Sequence, residues 1–424
     1  MKASATLADW LGYLERIHPT EMDLGLARVR TVWNRLGSPR PARHVITVAG
    51  TNGKGSTVAA LDALLRAHGW HSGTTTSPHL VRFNERITVG GETVSDASII
   101  EAFERIEAAR ADVSLTYFEF AMLAAIDIMA RAGLDAAVLE VGLGGRLDAA
   151  NVIDADIAVI TAIALDHEAW LGTDREAIGR EKAGILRQGC PLVIGETDPP
   201  ASVLAAAAAL AAKVHRRGGG FDLTPDPAGR WAFHGGADGD VRLDDLPEPR
   251  LHPDAIAAAL EVLTLLPVAL SAARVHHALV DLTLPGRMQR ATAGGVELIL
   301  DVAHNPHAVA ALVARLLPGT RYVAVLGTFR DKRVEIMAEL LATKVTELFL
   351  APTPGPRGQS AEDLADRLAV VLPDTVLRPC DSVAAALSVA AAQARKVGAT
   401  ILVLGSFTMI AAAHRWLADE RQAG

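Results

Sequence analysis

Two patterns alternate along most of the chain: short runs of apolar, β-branched residues, and longer stretches in which apolar residues recur every three or four positions. The first pattern predicts buried strands and the second predicts amphipathic helices. Their alternation predicts an α/β fold with mostly parallel sheets. Between residues 216 and 245 the pattern changes to short alternating pieces separated by Gly and Pro, which predicts a small antiparallel β patch.

The first strong apolar run leads into a glycine-rich segment. It breaks at Gly50 and restarts as a helix after Lys54, with the sequence Gly50-Thr51-Asn52-Gly53-Lys54-Gly55-Ser56-Thr57. Glycines let backbone N–H groups turn toward a polyphosphate, the helix N-terminus adds positive potential, and Lys54 supplies a mobile cation. The segment therefore predicts nucleotide binding, although one residue fewer than usual separates Gly50 from Lys54. The alternative is a glycine-rich turn with a surface lysine.

Other predicted strands also end in polar residues. Ser77 follows the second strand, Glu140 closes an apolar strand and precedes several glycines, and His167 follows the next strand. The carboxyl ends of parallel strands form the edge at which open α/β sheets bind ligands. Glu140 is therefore suited to face a nucleotide-bound Mg²⁺, the alternative being an acid that faces solvent. By residue chemistry alone, His167 is more often a satisfied polar residue than a ligand, and Lys182 would ordinarily be a solvated helix lysine.

The segment Leu284–Arg287 predicts a domain boundary, and 424 residues are too many for one ordinary core. Residues 1–284 are expected to form an N-terminal phosphate-loop ATPase-like domain that includes the β patch. Residues 285–424 are expected to form a C-terminal doubly wound, Rossmann-like domain. No Gly-x-Gly-x-x-Gly follows its first strand, so this fold does not by itself indicate NAD. Its strands are predicted near residues 296–302, 321–327, 345–351, 375–378 and 400–404.

Composition narrows the class of protein. The formal net charge of -8 argues against a nucleic-acid partner, since a basic face would be expected. Two cysteines are too few for a disulfide framework or a thiolate metal site. The N-terminus lacks the apolar core of a signal peptide, and no apolar run has membrane-spanning length. A cytoplasmic protein without a membrane partner is therefore expected.

Several short motifs occur in a fixed order over nearly the whole chain. They are Gly50-Thr-Asn-Gly-Lys-Gly-Ser, Thr76-Ser-Pro-His-Leu with Phe83-x-Glu-Arg86, Glu140-Val-Gly-Leu-Gly-Gly-Arg-Leu-Asp148, Leu165-Asp-His167, Glu181-Lys-Ala-Gly-Ile185, Leu284-Pro-Gly-Arg287, Asp301-Val-Ala-His-Asn-Pro306 and Gly405-Ser-Phe407. The ordered set resembles the folylpolyglutamate synthase family of the Mur ligase superfamily. It is most similar to the bacterial branch that also has dihydrofolate synthase activity.

The resemblance implies an ATP-dependent amide ligase. Such an enzyme joins L-glutamate to dihydropteroate and to the γ-carboxylate of reduced folates, through an acyl phosphate formed from ATP. Phosphoryl transfer to a carboxylate needs charge neutralisation and positioning more than a nucleophilic side chain, so no Ser/His/Asp set is required. ATP and Mg²⁺ are the implied cofactors, small molecules are the implied partners, and a monomer is favoured. The resemblance also places ATP between the two domains.

Residue roles follow position by position from the same resemblance. Catalytic roles fall on Lys54, Lys182 and His304, and Lys182 matches a lysine that the family carbamylates with CO₂. The Mg²⁺ ligands are Ser77, Glu140 and His167. Contacts with the pteroate substrate fall on Arg82, Phe118, Asp148 and Ala149. The ATP contacts are Gly50, Thr51, Asn52, Gly53, Lys54, Gly55, Ser56, Thr57, Arg287, Asp301 and His304.

Three positions depart from the family pattern. Asp254 stands where Asn is usual, Ala150 where Thr is usual, and Arg333 where Asp usually follows the Asp-Lys pair. These departures concern the adenine side and the second domain more than the chemistry.

Two other functions share the nucleotide machinery. A Mur-type ligase for a cell-wall precursor would use the same ATP site, but the Ser77–Leu80 segment, Phe118 and Asp148 favour the folate branch. A phosphate-loop switch would bind nucleotide without glutamate-dependent turnover, and it leaves Lys182 and His304 unexplained. The residues do not decide whether both folate activities are present, nor which folate form and glutamate chain length are preferred.

Overall fold

Two units, each with its own sheet, make up the computed structural model, which describes residues 5–20 and 23–423. The chain divides between Leu282 and Thr283, close to the predicted boundary after residue 284. The strands of the first unit are β1 (Ala42–Ala49), β2 (Ser72–Thr75), β3 (Ile87–Val89), β4 (Glu92–Thr93), β5 (Leu134–Glu140), β6 (Ile157–Ile160), β7 (Pro191–Ile194), β8 (Lys213–Arg216), β9 (Asp222–Pro225), β10 (Trp231–Gly235) and β11 (Val241–Leu246).

The helices of the first unit follow the predicted apolar spacing. They are α1 (Leu7–Leu14), α2 (Leu26–Arg35), α3 (Lys54–Ala67), α4 (Asp96–Arg110), α5 (Tyr117–Arg131), α6 (Glu168–Leu171), α7 (Arg175–Ala183), α8 (Ala201–Ala209), α9 (Pro253–Leu265) and α10 (Ala272–Leu279). Short 3-10 turns span Phe83–Arg86 and Ala149–Val152. No helix in the described part of the chain is long and apolar enough to cross a membrane.

The main sheet of the first unit has the strand order β4-β3-β2-β5-β1-β6-β7-β8. The strands from β2 to β8 in this order are parallel, and β3 and β4 add an antiparallel edge. The register pairs Val48 of β1 with Glu140 of β5, and Ala49 of β1 with Ile160 of β6. The chain segments that follow these three strands therefore leave the sheet at one edge, side by side.

The small antiparallel patch predicted from the Gly- and Pro-rich segment is a three-stranded sheet with the order β11-β10-β9. Glu261 of α9 attaches it to the rest of the unit. This carboxylate is completely buried, lies 2.7 Å from Nδ1 of His215 in β8, and accepts a 2.8 Å hydrogen bond from the backbone N–H of Gly236 beside β10. One buried acid thus joins the edge of the main sheet, α9 and the small sheet.

The second unit is a six-stranded sheet with the order β12-β13-β17-β14-β15-β16. Its strands are β12 (Gln289–Ala293), β13 (Val296–Leu300), β14 (Tyr322–Leu326), β15 (Val345–Leu350), β16 (Val376–Pro379) and β17 (Thr400–Leu404); its helices are α11 (Pro306–Ala314), α12 (Val334–Ala342), α13 (Ala361–Ala369), α14 (Val383–Val397) and α15 (Phe407–Ala423). All strand pairs are parallel except β12 with β13. The predicted doubly wound architecture is confirmed, and β12 is an edge strand that the apolar pattern did not predict.

Replacing the buried acid tests its structural role. We expect Glu261→Ala to lower the free energy of unfolding by about 3 kcal/mol, because His215 and the Gly236 N–H would both lose a buried acceptor. Urea denaturation monitored by circular dichroism measures the change. Glu104→Ala, at an exposed position of α4, is the control and should stay within about 0.5 kcal/mol of the parent. If Glu261→Ala is as stable as Glu104→Ala, Glu261 does not hold the small sheet to the rest of the unit.

Candidate active site

The phosphate loop begins with a close approach between Gly50 and Thr161. Gly50 has a φ of 151°, and a Cβ atom built on it would lie 1.7 Å from Oγ1 of Thr161. The same hydroxyl donates to the carbonyl of Asn52 at 2.7 Å. Gly53 then adopts a left-handed conformation, with a φ of 90°, as the residue before α3. Only glycine fits at position 50, because any side chain would overlap the hydroxyl that holds the loop.

Thr51 ties this loop to the segment that follows β6. Its backbone N–H donates to the carbonyl of Ala162 at 2.7 Å. Its hydroxyl lies 3.1 Å from both the carbonyl and the N–H of Ala164, donating to the first and accepting from the second. Because the same segment continues to His167, the phosphate loop and this histidine are held on one backbone framework.

Lys54 lies back over the loop that it follows. Its ammonium group donates to the carbonyl of Gly50 at 3.0 Å and has the carbonyl of Thr51 at 3.4 Å. Thr57, one turn later, is buried and its hydroxyl donates to the carbonyl of Gly53 at 3.0 Å. The cation therefore lies at the mouth of the loop, where a phosphate oxygen could take the place of the carbonyl acceptors.

The three predicted metal ligands lie on segments at the carboxyl edge of the main sheet. Glu140 ends β5, is 5% exposed, and accepts a 3.1 Å hydrogen bond from the backbone N–H of Ser77. His167 precedes α6 with a φ of 52°, and its backbone N–H donates to the carboxylate of Asp166. A positive φ is uncommon for histidine, so the local structure must hold it in place.

The donor set suits Mg²⁺. Within residues 5–20 and 23–423, no group of three or more His, Cys, Asp or Glu side chains is arranged to hold a metal ion on its own. One carboxylate, one hydroxyl and one imidazole leave most of a coordination shell to other ligands. Mg²⁺ in nucleotide enzymes typically has one or two protein carboxylates and completes its shell with phosphate oxygens and water. The residues Ser77, Glu140 and His167 therefore fit an ion that arrives with a nucleotide.

A glycine loop after β5 brings the predicted pteroate contacts close to this edge. A Cβ atom on Gly142 would lie 2.6 Å from the ring of Phe118, so the ring packs directly on the loop backbone. Asp148 is buried and accepts hydrogen bonds of 2.9 Å from the N–H groups of Leu143 and Ala150. Burial raises the pKa of Asp148 to about 6, although these backbone bonds and the charge of Lys54 oppose the rise.

Lys182 is a buried cation in the last turn of α7, with 3% of its surface exposed. Burial is the main reason that its pKa falls from 10.5 to about 7, and the charge of Lys54 lowers it further. The charges of Asp166 and Asp148 partly oppose this shift. Near neutral pH a large fraction of this amine is therefore uncharged and nucleophilic.

The remaining predicted substrate residues have different surroundings. Arg82 is 69% exposed, and its guanidinium donates to Asp96 at 3.3 Å. Ala149 is buried in the 3-10 turn that Asp148 caps. The structure thus brings Phe118, Asp148 and Ala149 to the glycine loop, whereas the Arg82 side chain pairs at the surface.

The three departures from the family pattern have structural accounts of different kinds. The carboxylate of Asp254, at the start of α9, lies 2.6 Å from Nη1 of Arg217 and 3.3 Å from His252. Burial alone would raise its pKa, but these two partners outweigh burial and lower it. Ala150 is fully buried, where a methyl group fits. Arg333 immediately precedes α12.

The second unit carries its own cluster of predicted ATP contacts around Phe407. The guanidinium carbon of Arg287 lies 5.2 Å from the centre of the Phe407 ring, and the ring of His304 lies 6.4 Å from it. His304 donates through Nδ1 to the carbonyl of Val302 at 2.8 Å, since a carbonyl only accepts. An aromatic ring thus supports both the cation and the imidazole.

Asp301 fixes the backbone beside this cluster. Its carboxylate accepts 2.9 Å hydrogen bonds from the N–H groups of Met288 and Ala303. Desolvation raises the pKa of Asp301, and the charge of Arg287 opposes that rise. The carboxylate of Asp301 therefore ties the segment before β12, which contains Arg287, to the segment after β13, which contains His304.

Similarity to known proteins covers nearly the whole chain. Residues 48–218 match the Mur ligase middle domain, and residues 286–407 match the Mur ligase glutamate ligase domain. The dihydrofolate synthase/folylpolyglutamate synthase of Escherichia coli (strain K12) is 43% identical over 97% of this chain and 95% of its own length. The chain belongs to the dihydrofolate synthase/folylpolyglutamate synthase family. The predicted family, fold class and enzyme class, an ATP-dependent ligase, are confirmed.

Solved structures of family members extend the match. E. coli FolC in complex with DHPP and ADP has a TM-score of 0.93 and 42% identity, covering 99% of this chain and 100% of that chain. The Yersinia pestis bifunctional folylpolyglutamate synthase/dihydrofolate synthase with Mn, AMPPNP and L-glutamate bound has a TM-score of 0.87 and 41% identity, covering 99% of each chain. Family members thus bind nucleotide and a divalent metal on this fold, which agrees with the predicted use of ATP and a divalent ion.

Sequence reasoning missed two side chains that position predicted site residues. Thr161 holds the phosphate loop, and Phe407 supports Arg287 and His304. Phe407 belongs to the Gly405-Ser-Phe407 motif, which could have indicated it. Thr161 directly follows the last residue of β6, and nothing in its sequence context marks it. The roles assigned to individual residues remain predictions.

The contact between Gly50 and Thr161 can be tested by adding one methyl group. We expect Gly50→Ala to weaken ADP binding ~100-fold, because overpacking costs up to about 3 kcal/mol and would displace the loop. Isothermal titration calorimetry measures the affinity. Gly12→Ala is the matched control, since a Cβ atom at this position of α1 meets nothing within 4 Å. Unchanged ADP affinity in Gly50→Ala would show that the loop tolerates the overlap.

Proposed function

We propose that this protein joins L-glutamate to dihydropteroate and to the γ-carboxylate of reduced folates, using ATP. The observation that carries the proposal is the set of groups at the carboxyl edge of the main sheet: a phosphate loop, the acid Glu140, and the buried amine of Lys182. The family membership and the related structures in complex with DHPP and ADP or with L-glutamate support the same substrates.

The reaction has two steps. An oxygen of the acceptor carboxylate attacks the γ-phosphorus of ATP; a new P–O bond forms, the bond to the β-phosphate oxygen breaks, and ADP leaves. The amine of L-glutamate then attacks the carbonyl carbon of the acyl phosphate, phosphate leaves with the bonding pair, and the nitrogen loses a proton. The first step brings two anionic groups together, which positioned cations make possible, and the second depends on the position of the amine beside the carbonyl carbon.

The chain's residues divide this work. The phosphate loop, through backbone N–H groups at the start of α3, and the ammonium of Lys54 hold the phosphates. Ser77, Glu140 and His167 would hold Mg²⁺, and the bound ion would neutralise phosphate charge. Phe118, Asp148, Ala149 and Arg82 contact the pteroate part of the acceptor. In the second unit, Arg287, Asp301 and His304 contact ATP.

Lys182 acts as a carbamate in this proposal. Its neutral nitrogen attacks CO₂, a C–N bond forms, and one proton is released, which converts the amine into an anion. Burial favours the neutral amine that this step needs. Because carbamate formation needs the neutral amine and releases a proton, it becomes more favourable as the pH rises through about 7, the pKa of Lys182. The anion would lie beside the cation Lys54 in place of a second positive charge.

A four-component assay tests the reaction. Purified protein with ATP, Mg²⁺, dihydropteroate and L-glutamate should release phosphate only when all four are present, and tetrahydrofolate should replace dihydropteroate as acceptor. Lys54→Ala should lower turnover at least ~1000-fold, because a phosphate-positioning cation is lost. Lys213→Ala, at an exposed position of β8, should leave turnover unchanged. Turnover only with a UDP-linked acceptor, or with none, would overturn the proposal.

Chemical rescue tests the carbamate. Lys182→Ala should lose most turnover, and short carboxylic acids such as acetate should restore part of it, because they replace the lost anion. Depleting bicarbonate and CO₂ should reduce the activity of the parent but not that of the rescued variant. Lys182→Ala without acid, assayed at the same ionic strength with added chloride, is the control. Rescue by methylamine in place of acetate would show that the working group is a cation.

A further inference from the structure

Arg86 is a half-buried cation that rests on two aromatic rings beside the predicted active site. Its guanidinium carbon lies 5.5 Å from the ring centre of Phe83 and 5.5 Å from that of Tyr117. The two rings are 6.0 Å apart and nearly perpendicular, and they form a corner that supports the guanidinium. Arginine stacks on aromatic rings in this way without using its N–H donors.

The hydrogen bonds of Arg86 leave most of its donors uncommitted. Nε donates to Nδ1 of His79 at 2.8 Å. Among the residues that the structure describes, no carboxylate lies within 4.0 Å of the guanidinium, and neither Nη atom makes a hydrogen bond. Neither atom is fully enclosed, since neither is among the buried polar atoms that lack a partner. Both Nη groups therefore have some contact with solvent and keep donors for a ligand.

His79 adds a donor in the same place. Because its Nδ1 accepts the hydrogen bond from Arg86, a neutral imidazole carries its proton on Nε2. The imidazole packs edge-on against Phe83, with ring centres 6.1 Å apart. Arg86 and His79 thus form a pair of neighbouring donors on one aromatic support.

The location of the pair suits an acidic substrate. Tyr117 precedes the predicted substrate contact Phe118, and His79 lies two residues after Ser77. Burial lowers the pKa of Arg86, and Tyr117 and the charges of Glu140 and Glu85 oppose that lowering. A carboxylate that approaches this acidic edge needs a nearby cation, because Glu140 would otherwise repel it. The planar fork of a guanidinium matches the two oxygens of a carboxylate.

We propose that Arg86, together with His79, binds a carboxylate of one of the two acidic substrates. This inference rests on the proposed ligase function and extends it to two residues without an assigned role. The carboxylate belongs either to the acceptor, as the group that attacks ATP, or to the incoming L-glutamate. Both sources present the same chemistry to the guanidinium, and substrate kinetics distinguish them.

The kinetic test uses Arg86→Ala, Arg86→Lys and the control Arg43→Ala, an arginine of β1 that is 75% exposed. Arg86→Ala should raise the KM for one acid at least tenfold and leave the KM for ATP within twofold. A raised KM for dihydropteroate identifies the acceptor carboxylate, and a raised KM for L-glutamate identifies the amino acid. Arg86→Lys keeps the charge but loses the fork, so its KM should lie between those of parent and Arg86→Ala.

A neutral analogue of the substrate shows whether Arg86 recognises the charge of the carboxylate or only shapes the site. The carboxamide counterpart of the affected acid, used as an inhibitor, should bind parent and Arg86→Ala with inhibition constants that agree within threefold. If the carboxamide is weakened as much as the acid, Arg86 only shapes the site and the proposal is wrong. KM values for both acids within twofold of the parent in both variants would also overturn it. Thermal unfolding confirms that each variant is folded. If Arg86→Ala does not fold, the same KM comparison is made with Arg86→Lys.

The two proposals fail in different ways. A parent protein without glutamate-dependent phosphate release overturns the proposed function, and this inference with it. An active parent whose affinity for both acids is independent of Arg86 overturns this inference alone.

Discussion

The close contact between the backbone of Gly50 and the hydroxyl of Thr161 is the constraint on which the rest of the first unit's site depends. β1 lies between β5 and β6, so the segments after these strands leave the sheet next to one another. Because the segments are adjacent, the hydroxyl of Thr161 donates a hydrogen bond to the carbonyl of Asn52. The hydroxyl of Thr51 donates a second hydrogen bond, to the carbonyl of Ala164. A loop one residue shorter than the common form can therefore keep a defined shape, because hydrogen bonds to the neighbouring segment hold it in place.

Buried charge is the second organising feature of the site. Lys182 is buried and feels the charges of Lys54, Asp166 and Asp148, and the buried Asp148 feels the charge of Lys54. In such surroundings each charge depends on its neighbours, since solvent screens little of the field. Burial dominates at both Asp148 and Lys182, raising the pKa of the acid and lowering that of the amine. Both groups are therefore poised near neutral pH.

The sequence predicted those parts that follow from local pattern. The parallel strands of both sheets and the antiparallel patch are encoded by apolar spacing and turn residues, and the structure has them. The phosphate loop and Glu140 were identifiable because glycine, lysine and a strand-terminal acid have few other reasons to occur together. The edge strand β12 was missed because its half-exposed residues carry too weak an apolar signal. Thr161 and the ring corner under Arg86 were missed because they arise from contacts between distant segments.

The two neighbouring lysines give the strongest physical argument for a modified residue at position 182. Two ammonium groups that influence each other in a buried site repel, and the pKa of Lys182 reflects this after the larger effect of burial. A neutral amine removes the repulsion but adds no charge to balance Lys54, and the nearby Asp148 already accepts two backbone hydrogen bonds. A carbamate would reverse the sign of the interaction, because an anion beside Lys54 attracts it. The arrangement that destabilises Lys182 as a cation would therefore stabilise it as a carbamate.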